Sequence, residues 1–280
     1  MGYEIRTANQ QEMSTMVGWA AKEGWNPGLH DVPAFYATDS KGFFLGYLDN
    51  EPIASVSAVA YDEKFGFVGF YIVKEGFRGK GYGIQIWNEA LKHLPTQNIA
   101  LDGVQDQVAN YEKSGFKLAY SNVRYEGVGT GKDIVDPNIV LVADVPFDEL
   151  LKYDTQMFPT PRPDFLREWI KQPESLAVAY KKDVELQGYG MVRKCQTGFK
   201  VGPLFAETSE IADILFQKMR GFVPEETPIF LDTPDRNKEA IALAEKYGMK
   251  PMFGTARMYT KEEPKVDLQK VFGVTTFELG

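Results

Sequence analysis

The sequence predicts two tandem α/β domains, and three observations predict it. Strand-type and helix-type stretches alternate along the chain. The 280 residues, 44% hydrophobic and 25% charged, have the composition of a soluble globular protein with room for two domains of ordinary size. Short words also recur half a chain apart. Asn110-Tyr111-Glu112-Lys113-Ser114-Gly115-Phe116 has its echo in Leu243-Ala244-Glu245-Lys246-Tyr247-Gly248-Met249, with Gly115 and Gly248 separated by 133 positions. Gly66-Phe67 precedes Gly198-Phe199 by 132 positions, and Asp102 precedes Asp232 by 130. Offsets that stay in register over a whole half mark a duplicated domain. The expected division is a first domain over residues 1–128, a glycine-rich linker over 129–137, and a second domain over 138–280.

The elements follow in order. Residues 5–7 read as a strand, and 9–22 as a helix with Met13, Met16, Val17 and Ala20 on one face. Glu23-Gly24-Trp25-Asn26-Pro27-Gly28 stops that helix, and a second helix covers 33–37. Residues 43–48 and 53–61 flank Asp49-Asn50-Glu51-Pro52 as a hairpin. A strand over 65–73 enters a glycine turn and leaves as a helix over 84–94. A short buried strand at 99–102, a helix over 108–114 and a strand over 116–125 complete the half, and 176–180 is the second half's counterpart of 43–48. Residues 271–279 are β-branched and aromatic and are expected to dock as a terminal strand.

The turn Arg78-Gly79-Lys80-Gly81-Tyr82-Gly83 carries the functional signal. Glycines at alternate positions remove Cβ atoms where backbone comes close to something, and the helix that follows points its free N–H groups back into the turn. That is an anion site made of backbone, with Arg78 and Lys80 adding charge. The equivalent stretch of the second half, Ala206-Glu207-Thr208-Ser209-Glu210-Ile211, has no glycine, no base and two acids. Only the first half is expected to bind an anionic cofactor.

Composition excludes several classes. A net charge of −8 argues against a general nucleic-acid binder. Cys195 is the only cysteine, so intrachain disulfides and zinc–cysteine clusters are excluded, no metal is expected, and a reducing cytoplasm is the simple expectation. No apolar run reaches the length of a membrane span. Gly129-Thr130-Gly131-Lys132 resembles the end of a phosphate loop, but Glu126 stands where its first glycine belongs and Asp133 where Ser or Thr is needed. His93 reads as a cationic helix cap, and Cys195 as a core residue.

Arg78-x-x-Gly81-x-Gly83 after a strand ending Tyr71-Ile72-Val73 resembles the acetyl-CoA site of the GNAT N-acetyltransferase superfamily. Tyr111 to Phe116 is similar to that superfamily's later helix. The whole chain resembles its two-domain type, in which a complete domain precedes a degenerate one, through Glu23-Gly24-Trp25-Asn26-Pro27-Gly28, Asn110-Tyr111 and Phe272-Gly273-Val274-Thr275-Thr276-Phe277-Glu278-Leu279-Gly280. The resemblance implies a mixed, splayed sheet in each domain and acetyl-CoA as co-substrate. It implies that the backbone of Ile72 and Val73 pairs with the pantetheine arm, and that the N–H groups of Arg78, Gly79, Lys80, Gly81, Tyr82 and Gly83 hold the pyrophosphate. Asn110 and Tyr111 are expected near the thioester, although Val104 stands where the family often has an Asn.

Acyl transfer to an amine requires an amine that loses a proton, a polarised carbonyl oxygen, and a stabilised thiolate. A backbone N–H near Ile72 or Val73 suits the second task, and the Tyr111 phenol suits the third. Asp102, at the end of a buried strand, is the candidate base, though Asp232 in the copy without a glycine turn speaks for a structural role. Trp25, Asn26, His30 and Asp31 lie on the loop that overlies the acceptor in this superfamily. The expected acceptor is an amine on a small molecule or peptide. A non-catalytic acyl-CoA sensor, or a transferase using another acyl-CoA or acceptor type, is the rival reading.

Overall fold

In the computed structural model, which describes residues 2–280, the first half opens with strand β1 (Tyr3–Thr7), helix α1 (Met13–Lys22) and helix α2 (Val32–Thr38). Met13, Met16, Val17 and Ala20 form the buried face of α1, as their spacing requires. The hairpin β2 (Phe43–Leu48) and β3 (Glu51–Ala60) turns through Asp49 and Asn50, both with positive φ, a conformation these two residue types tolerate best after glycine. Strand β4 (Phe65–Val73), helix α3 (Tyr82–Leu91), strand β5 (Asn98–Val104), helix α4 (Val108–Lys113) and strand β6 (Lys117–Val128) follow.

Residues 129–136 carry no regular structure. The second half comprises β7 (Ile139–Leu141), α5 (Phe147–Asp154), α6 (Pro163–Trp169), β8 (Ser175–Lys182), β9 (Glu185–Lys194) and β10 (Phe199–Ala206). It continues with α7 (Ser209–Phe222), β11 (Pro228–Pro234), α8 (Lys238–Lys246), β12 (Lys250–Tyr259) and β13 (Val271–Gly273). Thr208 caps α7, its hydroxyl accepting from the N–H of Ile211 at 3.3 Å, and Asn237 caps α8 by accepting from Ala240 at 3.1 Å.

Both halves share one sheet, ordered β1-β2-β3-β4-β5-β12-β6-β11-β10-β9-β8-β7. The last long strand of each half lies among the strands of the other: β12 pairs with β5 as well as β6, and β6 pairs with β11. The chain's linker and the seam of the sheet therefore do not coincide. The helical layers also meet across the halves, with the rings of Phe35 in α2 and Trp169 in α6 stacked at 6.0 Å.

Two splays define the functional geography. Strands β4 and β5 are parallel and paired from Phe65/Asn98 to Val68/Leu101, after which they part. At the parting β4 bulges: Phe70 has φ of 48°, and Phe70 and Tyr71 together face the single residue Val56 of β3. Strands β10 and β11 repeat the pattern, paired only from Phe199/Ile229 to Val201/Leu231. There the gap is filled: β13 pairs with β10 through Leu204/Gly273 and Phe205/Val271.

The terminal segment departs from the expected strand. Only Val271–Gly273 is β, because beyond Gly273 the chain leaves the second splay and crosses to the first. It is fixed there by hydrogen bonds from Arg162 Nη2 to Thr275 Oγ1 at 2.9 Å and from the Tyr61 hydroxyl to the Leu279 carbonyl at 2.8 Å. All residues from Val271 to Gly280 are buried.

Candidate active site

A cleft of about 720 Å³ opens where β4 and β5 part. Its walls are β4 from Val68 to Val73, the turn with Arg78, Gly79, Gly81 and Gly83, and β5 from Leu101 to Val104; Trp87 and Tyr111 flank it. The far end is closed by Trp25, Phe253, Thr255, Phe277 and Glu278, so both halves and the tail contribute.

The three glycines of the turn have different tasks. Gly79 and Gly81 have φ of 74° and 85°, with open space where a Cβ would stand, so backbone conformation is what selects glycine there. Gly81 is the residue before α3, which turns the first N–H groups of that helix towards the cleft. Gly83 is about close approach: a Cβ on it would lie 2.6 Å from the Tyr71 hydroxyl oxygen. The Arg78 side chain donates to the Val73 carbonyl at 2.8 Å and pairs with Glu23 across the cleft mouth. Both partners of that pair are substantially exposed, so it is cheap to break. Lys80 reaches back to the Gly76 carbonyl at 2.9 Å. Tyr82 packs against Tyr3 with the rings tilted and their centres 4.8 Å apart, and contributes to the turn through its backbone.

Beyond Val68, residues Gly69 to Val73 have no strand partner on the β5 side among the described residues. Ser55 Oγ donates to the Phe70 carbonyl at 2.8 Å, and the Gly69 N–H donates to Ser57 Oγ at 3.0 Å, which fixes the bulge from below. Ile72 and Val73 thus offer an open strand edge to an extended ligand.

Tyr111 on α4 packs over Gly103, where a Cβ would come within 2.3 Å of its ring, and lies 5.7 Å from the Trp87 ring. Burial, with a smaller contribution from Tyr71, pushes its phenol up to about 12. Asn110 does not join it. Its amide donates to Gln107 and accepts from Lys113 on the outer face of the helix, and Asp106 and Gln107 line the cleft in its place. A one-residue step rotates a helical side chain by about 100°, which here turns Asn110 to solvent while Tyr111 faces the cleft.

The acceptor-side predictions divide. Trp25 lines the cleft, and its carbonyl accepts from Arg124 Nη1 at 2.7 Å and Lys200 Nζ at 3.4 Å. Asn26 is spent on the seam, where its amide bonds the backbone of Thr197 at 2.9 and 2.8 Å. His30 likewise reaches Glu174 of the other half at 3.1 Å. Asp31 is fully buried beneath the cleft, held by Arg193 at 2.8 and 3.3 Å and by the Gly28 N–H at 2.8 Å. It therefore ties the loop to the second half and does not line the cleft. Asp102 does line the cleft, but Arg257 grips both its oxygens, at 2.9 Å on Oδ1, and Asn122 donates to Oδ1 at 2.8 Å. That geometry belongs to a positioning carboxylate, not to a free base.

Sequence reasoning missed the charged floor of the site. Arg124 pairs bidentately with Asp232 at 2.7 and 2.6 Å, and its guanidinium lies 4.9 and 5.0 Å from the rings of Phe253 and Phe277. Lys200 is fully buried, and burial with Arg124 nearby lowers its pKa. Glu278 is buried, and desolvation raises its pKa against the opposing pull of Lys200, Arg124 and Arg193. The available signal was ionisable residues inside otherwise apolar runs, as at Lys200 and Glu278. Three residues lining the cleft hold buried polar atoms with no partner: Trp87 Nε1, Thr255 Oγ1 and Glu278 Oε1. Unpaired buried polar atoms are costly, which is the signature of a cleft that completes itself with a ligand.

A splayed sheet with a glycine-rich turn at one open strand edge defines an acyltransferase of the GNAT class. The GNAT family model matches residues 7–116, and an acetyltransferase (GNAT) domain model matches 150–273. The holothin acyltransferase of a Pseudoalteromonas species is 31% identical over 98% of this chain and 94% of its own. The uncharacterised N-acetyltransferase YitH of Bacillus subtilis is 21% identical over 84% of the chain and 83% of its own length. Among solved structures, one from Pyrococcus horikoshii proposed to be an acetyltransferase superposes with a TM-score of 0.84 at 20% identity, covering 100% of this chain and 96% of that one. A tandem GNAT protein from the clavulanic acid biosynthesis pathway has a TM-score of 0.62 at 11% identity, covering 93% and 98%. The chain belongs to the GNAT acyltransferase family and carries two GNAT domains in tandem.

Proposed function

We propose that this protein transfers an acetyl group from acetyl-CoA directly to an amine of a small molecule or peptide, using one cofactor site per chain. The observation that carries this is the contrast between the two splays. Residues 1–128 contribute an open β4 edge beside a glycine turn, whereas in the degenerate region, 138–280, β13 occupies the corresponding edge of β10.

In this reading the backbone of Ile72 and Val73 pairs with the pantetheine arm as an added strand would. The N–H groups from Arg78 to Gly83 take the pyrophosphate, and Arg78 exchanges Glu23 for phosphate oxygen. Backbone N–H groups at the β4 bulge polarise the thioester carbonyl. Tyr111 faces the departing sulfur. With its phenol at about 12, full proton transfer to a thiolate of ordinary pKa, roughly 8.5, runs uphill, so Tyr111 acts as a hydrogen-bond donor to the developing charge. Asp102 holds Arg257 and strand β12 in place, and Trp25 forms part of the acceptor wall.

The test is acetyl-CoA consumption against a panel of small amines, polyamines, amino acids, aminoglycosides and lysine peptides, with the product identified by mass. Acetylated amine and free CoA are the expected products. Acetyl-CoA binding without transfer to any amine would instead favour a sensor, and a co-purified longer acyl-CoA would change the donor.

A further inference from the structure

We propose that Glu278 holds the acceptor's amine and takes its proton, in a compartment that Trp25, Phe253 and Phe277 wall for an amine with an apolar body. This rests on the amine-acetylation reading above and supplies the base that it lacks.

Four carboxylates line the cleft: Glu23, Asp102, Asp106 and Glu278. Glu23 is paired with Arg78 at the mouth, Asp102 is gripped by Arg257 and Asn122, and Asp106 is exposed. Glu278 is buried, at 2% exposure, and has no ion pair among the described residues, a combination that none of the other three shows. Its Oε2 accepts from the Thr276 hydroxyl, which fixes the carboxyl group, while Oε1 has no partner. A preorganised, buried carboxylate oxygen without a partner, on a residue that lines the cleft, is what a base or an ammonium anchor needs.

Its location follows from Gly69. A Cβ there would lie 2.1 Å from the Glu278 carbonyl oxygen, so glycine is what lets the tail approach the point where β4 and β5 part. The tail reaches that point because β13 anchors it in the second splay and Tyr61 holds Leu279. The charged groups acting on Glu278 are Lys200 of β10, Arg124 of β6 and Arg193 of β9, which favour its ionised form, and Asp31 before α2, which opposes it. Asp31 and Asp232 already neutralise the two arginines. Desolvation prevails and raises the carboxyl's pKa, the direction that makes it a stronger base. Trp25, Phe253 and Phe277 give the compartment its apolar surface, and the Arg124 guanidinium lies against both phenylalanine rings, which pack edge-to-face on each other.

The proton balance is complete without a further reactant. The bound ammonium gives one proton to the Glu278 carboxylate, directly or through one water, and becomes a neutral amine. Its nitrogen lone pair forms the C–N bond at the thioester carbon, and the C–S bond breaks as the oxyanion collapses. The second nitrogen proton passes to the sulfur, giving amide and thiol, and Glu278 returns its proton to solvent.

The test uses the full-length protein saturated with CoA, titrated with 2-phenylethylamine by calorimetry, followed by acetyl-CoA turnover with the same amine across the neutral pH range. Glu278→Gln is expected to leave CoA affinity unchanged and to weaken amine binding at least about tenfold. It should also lower kcat by about 10²-fold or more and remove the acid limb of the pH–rate profile. Glu278→Asp, the second variant, is expected to restore part of the turnover with a shifted acid limb. Equal amine binding and an unchanged pH profile in Glu278→Gln would overturn the assignment while leaving acetyl transfer intact. Amine binding that depends on Glu278 without any transfer would remove the acetylation reading, and the base with it, and leave only the ammonium anchor. No amine binding by the unmodified protein would overturn the compartment itself.

Discussion

Tyr111 shows how burial converts an ordinary residue into a site residue. Packed over Gly103 and beside Trp87, its phenol keeps its proton up to about pH 12. Tyr111→Phe removes one hydrogen bond to a developing thiolate, worth about 1.5–3 kcal/mol, so kcat should fall about 10- to 100-fold with acetyl-CoA affinity nearly unchanged. Steady-state kinetics and calorimetry on the same preparation separate the two. A linked effect appears in stability. Tyr111 and Tyr3 are both raised to about 12, whereas the unfolded phenol ionises near 10. Between those values the unfolded chain has lost protons that the folded chain retains, so unfolding free energy is full below pH 10 and falls as pH rises towards 12. Denaturant midpoints that stay constant through that window would contradict it.

At the scale of elements, the glycine turn and the Asp102–Arg257 pair carry separate burdens. Gly83→Ala places a methyl against the Tyr71 hydroxyl 2.6 Å away, and the displaced helix start should weaken acetyl-CoA binding about tenfold. Adding Tyr71→Phe removes the oxygen and should recover part of that affinity, which calorimetry on the single and double variants would show. Asp102 and Arg257 join β5 to β12 with both side chains buried. Asp102→Ala leaves Arg257 buried and unpaired, and should cost about 3–5 kcal/mol in chemical denaturation. Asp102→Leu with Arg257→Met should recover most of that stability. The strand β4 was legible in full, because its apolar run ends in a breaker, and so was the buried face of α1. Asn110 was misplaced because a word in the sequence does not say which face of α4 meets the cleft. Arg124, Lys200 and Glu278 were missed for a related reason. Their immediate sequence neighbours are mostly apolar, and the charged groups that act on them come from other elements.

At the scale of the molecule, the duplication was legible and the exchange of strands between the halves was not. Repeat offsets record ancestry, whereas the choice of sheet neighbours for β6 and β12 is made by tertiary pairing. A fragment of residues 1–128 keeps β6 but loses β12, its neighbour, and so exposes unpaired strand edges. That fragment alone should be insoluble or unfolded, while its co-expression with residues 129–280 should yield a soluble complex that binds acetyl-CoA. Circular dichroism and co-purification read both outcomes. Exchange also gives the half without an open cofactor edge a task at the first splay. It supplies β12, the buried charges beneath Trp25, and a tail that closes its own splay before lining the other.

The contrast between an open and a filled splay is tested most directly by the stoichiometry of acetyl-CoA binding in titration calorimetry, compared between the unmodified protein and Gly83→Trp. One acetyl-CoA per chain, lost in the variant while it still unfolds cooperatively on heating, is the expected result. Two per chain, none, or one that persists undiminished in Gly83→Trp would contradict a single cofactor site at this turn.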